Sequence, residues 1–322
     1  MDPPEMLVEG ALQNHYKMIK QMRGVPGVLP ERFEEGFQVR HCALSLVGEP
    51  IMYPEINTFT ELLHEKGISS YLVTNAQFPE EMKTLKPVTQ LYISIDASTK
   101  DALKAVDRPL NRDFWERFTS CIEQLALRLE RTVFRLTLGR PKNYTQVTLC
   151  KLYLHDSGFH ISSFYLVKGW NAEEIDNYAK LVLMGKPDFI EVKGVTYCGT
   201  SKASKLTMEN VPWHEEVIFF VQKLADQLSD YEIACEHEHS NCILISHKKF
   251  KKNDQWHTWI DYEKFQKLYK EFKASDGTKT FTALDYSVPT PAWSVFGSQE
   301  RGFDPGTYIY ILTKIWFRNY CF

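Results

Sequence analysis

The chain has 322 residues and a formal net charge of −3, and 43% of its residues are apolar and 25% charged. These proportions exclude a disordered or fibrous protein, and the near-neutral charge argues against a protein that coats nucleic acid by bulk charge. The length suffices for one large domain or two small ones. No apolar run reaches the roughly 18 residues of a membrane span, so we expect no membrane partner.

The start of the chain and its cysteines predict the compartment. The residues from Met1 to Glu5 are acidic and lack the apolar stretch of a secretory signal. Without such a signal, seven cysteines in a chain of this length indicate reduced thiols. We therefore expect a cytoplasmic protein.

Helical and apolar segments alternate along the chain. Residues 4–23 predict an opening helix, and the Gly- and Pro-rich residues 24–30 predict a break after it. Strands alternating with helices of this length indicate βαβ units in a parallel sheet or barrel. The predicted strands are Val39–Val47, Ile68–Thr74, Leu91–Asp96, Thr132–Leu138 and Phe189–Thr196. The predicted later helices cover residues 55–66, 78–85, 100–106, 112–129, 172–184 and 213–229.

Two segments interrupt this alternation. Residues 139–166 stand where a strand-to-helix connection of roughly 2–6 residues is expected, and residues 306–322 follow neither helical nor strand periodicity. We therefore predict an α/β fold in three parts. An incomplete (β/α) barrel with parallel strands covers residues 1–230 and includes the atypical insertion 139–166. A C-terminal α/β extension covers residues 231–305, and an atypical tail covers residues 306–322.

Three of the predicted strands combine an apolar face with a face that carries charge, because side chains alternate across a strand. The apolar faces suit packing under helices, and the other faces are expected to converge on a barrel lumen. Charges inside a barrel are costly unless they are paired or bind a polar ligand. An internal ion-pair network, or a sheet with one face in water, is the structural alternative, and Glu191 could pair with Lys193. The charged residues concerned are Asp96, Arg135, Glu191 and Lys193.

Polar residues also follow the predicted strands in order. Gly48-Glu49-Pro50 comes after the first strand, Asn75 after the second, and Asp96 ends the third. Ligands in folds of this type bind at the carboxyl ends of the strands. The series therefore predicts a binding site at that edge.

These residues carry a resemblance to a known family. The run Leu44–Pro50, with Thr74-Asn75 on the next strand, resembles the radical S-adenosylmethionine superfamily. Three further runs look like the tRNA 4-demethylwyosine synthase of wybutosine biosynthesis, and the resemblance covers residues 1–138 and 167–305. Those runs are Phe189–Tyr197, Val211–Glu216 and Tyr231–His239.

The resemblance implies a reaction and its cofactors. In the family a 4Fe-4S cluster delivers one electron to S-adenosyl-L-methionine, and the resulting radical removes hydrogen from N1-methylguanosine-37 of phenylalanine tRNA. A two-carbon unit from pyruvate then closes the tricyclic base. By the Gly-Glu-Pro motif, Gly48, Glu49 and Pro50 would bind the cofactor, with Glu49 on its amino group. By strand face and order, Asn75, Ser94, Asp96 and Arg135 would line the cofactor pocket, and Glu191 and Lys193 would face the substrate as catalytic residues.

The sequence lacks the cysteine loop with which the family binds its iron–sulfur cluster. The superfamily holds it with a C-x3-C-x2-C loop, and none of the seven cysteines here has that spacing. No metal ligand is therefore assigned, and we expect this chain alone to be inactive, as a truncated or variant form. The alternative is a non-catalytic tRNA- or protein-binding paralogue or splice product. The insertion 139–166 and the residues after Pro305 also have no counterpart in the family.

Three further groups of residues have a functional and a structural interpretation. Cys235, His237, His239 and Cys242 could bind zinc, although a strand pair joined at a turn is the favoured interpretation. His214 to Glu216 suit capping of a helix better than catalysis. A basic cluster followed by Trp256 and Trp259 suits RNA, and a solvated turn is its alternative. The lysines of that cluster are Lys248, Lys249, Lys251 and Lys252.

Overall fold

The computed structural model describes residues 2–45, 48–139, 145–155, 158–168, 172–197, 199 and 207–299. The predicted tail 306–322 lies outside them. In these ranges no helix is long and apolar enough to span a bilayer.

The predicted helices are all present, with ends shifted by about one turn at most. A further short helix begins at Pro30, where a break was predicted. The predicted break is present from residue 22 to residue 29, and only its last residue, Pro30, belongs to the new helix, because proline fixes φ and lacks an N–H, which suits the first turn of a helix. The helices are α1 (Pro4–Gln21), α2 (Pro30–Glu35), α3 (Ile56–Glu65), α4 (Pro79–Thr84), α5 (Lys100–Asp107), α6 (Phe114–Leu125), α7 (Ala172–Gly185), α8 (His214–Ala225) and α9 (Tyr262–Ala274).

The strands form one large sheet and three small ones. The large sheet has the order β1-β2-β3-β4-β7-β9-β8. Its first five strands run parallel, and β9 and β8 are antiparallel additions at one edge. The strands are β1 (His41–Leu44), β2 (Ser69–Thr74), β3 (Gln90–Ile95), β4 (Thr132–Leu138), β5 (Thr145–His155), β6 (Gly158–Lys168), β7 (Phe189–Gly194), β8 (Tyr231–His237), β9 (Cys242–His247), β10 (Lys251–Lys252), β11 (Gln255–Trp256), β12 (Trp259–Ile260) and β13 (Ser287–Val288).

This mostly parallel sheet confirms the predicted α/β class. The first predicted strand is shorter than expected among the described residues, because β1 ends at Leu44. Within the segment predicted as an insertion, β5 and β6 pair only with each other, as an antiparallel hairpin. The strands of the predicted extension, β8 and β9, continue the large sheet through β7.

One face of the sheet packs under helices, as the alternation predicted. Leu91, Ile93 and Ile95 of β3 are fully buried there, and Phe134 and Leu136 of β4 join them. These side chains form one core with residues of α4, α6, α7 and α8. The apolar stripes of the helices and of the strands thus cover each other.

The opposite face has an apolar floor that sequence analysis missed. Tyr92 of β3, Val133 of β4 and Phe189 of β7 lie in a second core, which the C-terminal residues complete. The side chains that α9 and the loops around it bring to this core include Phe250, Trp256, Ile260, Phe265, Tyr269 and Tyr286. The floor therefore fills one end of the space that the sequence pattern assigned to a barrel lumen.

Candidate active site

Two polar rows lie beyond the apolar floor, toward the carboxyl ends of the parallel strands. Strand register places Ser94 of β3 beside Arg135 of β4, and Arg135 beside Glu191 of β7. One step further along the strands, Lys193 of β7 pairs with Cys242 of β9, and Cys242 with His237 of β8. Residues paired in register point to the same side of a sheet. These side chains therefore share one face.

An ion pair occupies the centre of the first row. Arg135 Nε donates to Glu191 Oε1 at 2.8 Å, and the Arg135 guanidinium lies over the Tyr92 ring at 4.6 Å from its centroid. The Glu191 side chain is buried, whereas Arg135 is about one-third exposed. The internal ion pair expected as the structural alternative is thus present, with Arg135 and not Lys193 as the partner of Glu191.

The Glu49 carboxylate lies at the end of β2. Glu49 Oε2 accepts a hydrogen bond from the Asn75 backbone N–H at 2.9 Å. Glu49 Oε1 is buried and has no hydrogen-bond partner in the described part of the chain. Burial raises the pKa of Glu49, and the nearby Asn75 N–H, Thr74 hydroxyl and Ile51 N–H oppose this increase. The loop on either side of Glu49 is shaped by Gly48, in the left-handed region with φ 72°, and by Pro50, which begins a short 3-10 helix.

A second hydrogen-bonded pair ends β3. Ser94 Oγ donates to Asp96 Oδ2 at 3.2 Å, and both side chains are half-buried. Because Ser94 is also the register neighbour of Arg135, this pair continues the first polar row toward β2 and Asn75. The residues predicted to line a cofactor pocket thus occupy the ends of adjacent strands.

The unpartnered Glu49 oxygen fits the amino group of S-adenosylmethionine. A buried carboxylate oxygen without a donor is costly, and an ammonium group would satisfy it with a charge-assisted hydrogen bond. The hydroxyl, carboxylate and guanidinium of Ser94, Asp96 and Arg135 add donors and acceptors along the same edge. This donor set suits a polar, charged cofactor.

The described cysteines show no grouping of the kind that holds an iron–sulfur cluster. Burial raises the pKa of Cys121 and of Cys235 to about 12. Within the described ranges, no three His, Cys, Asp or Glu side chains are grouped as a metal site.

The strand-pair interpretation of the Cys and His motif is confirmed. Cys235 on β8 and Cys242 on β9 are buried free thiols, and a tight turn joins the two strands. The Cys235 Sγ lies 3.3 Å from the hydroxyl of Thr258, not against the histidines. The four side chains form no metal group.

Ion pairs engage most of the basic cluster. Lys249 Nζ lies 2.6 Å from the buried Asp188 carboxylate, and Lys248 and Lys251 both contact Glu232, at 3.5 Å and 2.9 Å. Trp256 is buried in the floor. The predicted solvated turn thus describes this segment better than a row of free lysines.

The predicted capping role at α8 is confirmed, and His214 has a further contact. Glu216 accepts a hydrogen bond from the Trp213 backbone N–H at 2.7 Å and so caps the helix. His214 Nε2 lies 2.9 Å from Glu236 Oε1, and its Nδ1 lies 3.1 Å from Asn241. No local sequence signal indicates the Glu236 contact, because the two residues lie on separate elements.

Residues 184–247 match a family model described as wyosine base formation. Of the solved structures, TYW1 with a lysine-pyruvate adduct bound aligns with a TM-score of 0.62 at 25% identity, covering 79% of this chain and 72% of that chain. A crystal structure of archaeal TYW1 aligns with a TM-score of 0.58 at 24% identity, covering 79% and 73%.

Curated relatives match over more of the sequence. The S-adenosyl-L-methionine-dependent tRNA 4-demethylwyosine synthase TYW1 of Xenopus laevis is 62% identical over 305 residues, which cover 95% of this chain and 38% of that protein. The Homo sapiens enzyme is 58% identical with the same coverage. The Oryza sativa subsp. japonica enzyme is 55% identical over 307 residues, covering 95% and 42%. The chain thus spans about two fifths of the length of these relatives.

The mostly parallel sheet of this chain thus has the fold of the two TYW1 structures. Over 95% of its length, this chain is similar to S-adenosyl-L-methionine-dependent tRNA 4-demethylwyosine synthases.

Proposed function

We propose that this chain forms the S-adenosylmethionine- and substrate-binding part of a tRNA-modifying enzyme. The reaction would condense N1-methylguanosine-37 of phenylalanine tRNA with pyruvate, as in 4-demethylwyosine synthesis. The observation that carries the proposal is the buried, unpartnered Glu49 oxygen at the carboxyl edge of the sheet. The identity to synthases that depend on S-adenosyl-L-methionine supports the same assignment. A cytoplasmic location is consistent with work on tRNA.

In this proposal each pocket residue binds or orients the cofactor. Glu49 accepts from the amino group of S-adenosylmethionine, and Gly48 and Pro50 fix the turn that presents the carboxylate. Asn75 holds the second Glu49 oxygen through its backbone N–H. When bound, the cofactor supplies the hydrogen-abstracting group of the reaction. Ser94, Asp96 and Arg135 provide the remaining polar contacts.

We assign Glu191 and Lys193 to the substrate side of the pocket. The Arg135 guanidinium keeps the Glu191 carboxylate oriented toward β4, since the two groups share a hydrogen bond at 2.8 Å. Lys193 lies one step closer to the carboxyl edge, where its ammonium group can attract the carboxylate of pyruvate or an RNA phosphate. The turn with Lys248, Lys249, Lys251 and Lys252 is a second, weaker phosphate contact, because acidic partners engage three of its lysines.

We also propose that these 322 residues do not by themselves hold the 4Fe-4S cluster. Cys121 and Cys235 are buried, the described residues hold no group of three ligating side chains, and the sequence has no C-x3-C-x2-C spacing. On its own this chain would then bind tRNA, or a protein partner, without completing the reaction. Anaerobic reconstitution should leave the purified chain without iron and sulfide. Stoichiometric iron and sulfide would contradict this part of the proposal.

Calorimetric titration with S-adenosylmethionine tests the binding role. Glu49→Gln removes the negative charge at constant size, and a charge-assisted hydrogen bond is worth about 1.5–3 kcal/mol, so we expect binding about ten- to hundred-fold weaker. Glu55→Gln is the matched control, because Glu55 lies nearby but contacts the Thr58 hydroxyl. Equal affinity of Glu49→Gln and the unaltered chain would reject the assignment, as would the absence of binding by the unaltered chain.

A further inference from the structure

A group of aromatic rings extends the candidate site beyond β8. Trp259 and Trp293 meet edge to face with ring centroids 5.9 Å apart, and His237 lies 6.5 Å from Trp293. His239 continues the series at 6.4 Å from His237. We name these four residues the aromatic edge.

The aromatic edge adjoins the second polar row. His237 is the register neighbour of Cys242, which in turn pairs with Lys193. The loop that carries Trp293 runs along the outer side of β8, since the Phe296 backbone N–H donates to the Ala234 carbonyl at 3.0 Å. The aromatic edge is therefore continuous with the substrate side of the proposed site.

These rings differ from the other aromatic side chains of the C-terminal residues. Phe250, Phe265 and Tyr286 are fully buried in the floor. Trp259, Trp293 and His237 are only half-buried, and His239 is exposed. Large aromatic faces that remain accessible beside a polar site indicate a binding surface more than a core.

The charges around the aromatic edge favour an anionic ligand. Burial lowers the pKa of His237, and electrostatic interactions with His239, His214 and Lys193 lower it further, so the His237 ring is mainly neutral at pH 7. The nearby Glu236 carboxylate is engaged by His214 at 2.9 Å and by the Gly297 N–H at 3.2 Å. The surface thus combines the neutral rings of Trp259, Trp293 and His237 with the Lys193 ammonium group.

We propose that the aromatic edge stacks unpaired nucleotides of an RNA loop beside the base bound at the polar rows. Bases out of a helix stack on aromatic side chains, and phosphates between them contact lysine. Trp259 and Trp293 provide the stacking faces, and Lys193 contacts the backbone. This inference rests on the proposed function and adds to it the way in which the loop around the target base is held.

Fluorescence anisotropy with a labelled anticodon stem–loop RNA tests this inference. Trp293→Leu removes the ring, and we expect binding weaker by about five- to hundred-fold, as for loss of one stacked base. Trp293→Phe keeps a stacking face and should restore most of the affinity. Tyr16→Leu is the matched control, because Tyr16 stacks on Phe37 at 6.3 Å in the α1–α2 region. Urea unfolding of each variant shows whether it is folded.

A second RNA separates stacking from phosphate contact. Loop nucleotides replaced by abasic sites retain their phosphates, so the unaltered chain should lose affinity for this RNA. Trp293→Leu, which keeps only the Trp259 face, should discriminate less between the two RNAs. Equal binding of both RNAs by the unaltered chain would overturn the inference, as would full affinity of a folded Trp293→Leu variant. If the unaltered chain binds neither RNA, the inference fails together with the proposed tRNA substrate, whereas S-adenosylmethionine binding still tests the cofactor site separately.

Discussion

Arg135 and Glu191 are register partners on the parallel strands β4 and β7, and their side chains meet at 2.8 Å on the face that carries the candidate site. The pair stands directly above the apolar floor, where Val133 and Phe189 are the preceding register partners on the same face. The ion pair therefore lies between the apolar floor and the polar residues of the candidate site. Its contribution to stability can be measured.

Removing the acidic partner should destabilise the fold. Glu191→Leu leaves the Arg135 charge partly buried without its carboxylate, and we expect a loss of about 1–3 kcal/mol in the free energy of unfolding. Urea denaturation measures this loss. Glu80→Leu is the control, because its ion pair with Lys83 is exposed and should contribute less than about 1 kcal/mol.

A double variant shows whether the lost stability reflects the unpaired charge. Adding Arg135→Met to Glu191→Leu replaces the remaining charge by an apolar side chain, so part of the stability should return. If the loss of stability in the double variant equals the sum of the losses in Glu191→Leu and Arg135→Met alone, the two residues are not coupled.

The raised pKa of Glu49 predicts how cofactor binding depends on pH. The amino group of S-adenosylmethionine needs the ionised carboxylate, and burial makes Glu49 accept a proton at a higher pH than an ordinary glutamate. As the pH is lowered, affinity should therefore begin to fall at a higher pH than the titration of an ordinary glutamate, with its pKa of about 4.3, would give. The weak binding of Glu49→Gln should stay constant over the same range. Calorimetry at several pH values checks both, and a midpoint no higher than the pKa of an ordinary glutamate, about 4.3, would contradict the assignment.

His64 predicts how stability depends on pH. It is fully buried, its Nε2 lies 2.8 Å from the Ser70 hydroxyl, and burial lowers its pKa from 6.5 to about 3. Below pH 6.5 the unfolded chain takes up a proton that the folded chain excludes. Stability should thus fall by about 2 kcal/mol between pH 7 and pH 5 from this group alone.

His64→Gln should reduce the slope of stability against pH by that amount. Ser70→Ala is the control, since it removes the hydrogen bond but keeps the histidine, and should retain the slope at lower overall stability. Parallel pH profiles for His64→Gln and the unaltered chain would show that His64 does not titrate as proposed.

Tyr286 links the C-terminal residues to the parallel sheet. Its buried hydroxyl accepts from the Arg131 backbone N–H at 2.8 Å and donates to the Thr89 carbonyl at 3.0 Å. Tyr286→Phe leaves both backbone groups without this partner, so we expect a loss of about 1–3 kcal/mol in urea unfolding.

The matched control for Tyr286 is Tyr53→Phe. The Tyr53 hydroxyl donates to the Asp2 carbonyl in an exposed position, and its loss should change stability by less than about 0.5 kcal/mol. A single unfolding transition in all three proteins would support folding of residues 231–299 together with the sheet. A separate early transition in Tyr286→Phe would instead indicate an independent extension.

The amino-acid sequence by itself determined the class of fold and the order of the strand ends. Alternation within Leu91–Asp96 and Thr132–Leu138 is a local property, so it assigned Ile93 and Phe134 to the helical side correctly. The turn at Gly48-Glu49-Pro50 is likewise local, since Gly48 takes a φ of 72° and Pro50 begins a 3-10 helix. Such features depend on backbone geometry over a few residues, which sequence periodicity reports directly.

Only the tertiary structure decided which groups meet. Glu191 pairs with Arg135, 56 residues away, and not with the neighbouring Lys193, because parallel register places it beside β4. Lys249 of the basic cluster likewise forms an ion pair with the distant Asp188. The sequence alone left that lysine available to RNA. The floor and the aromatic edge also unite distant segments. Partners far apart in sequence are set by register and packing, which no local pattern encodes.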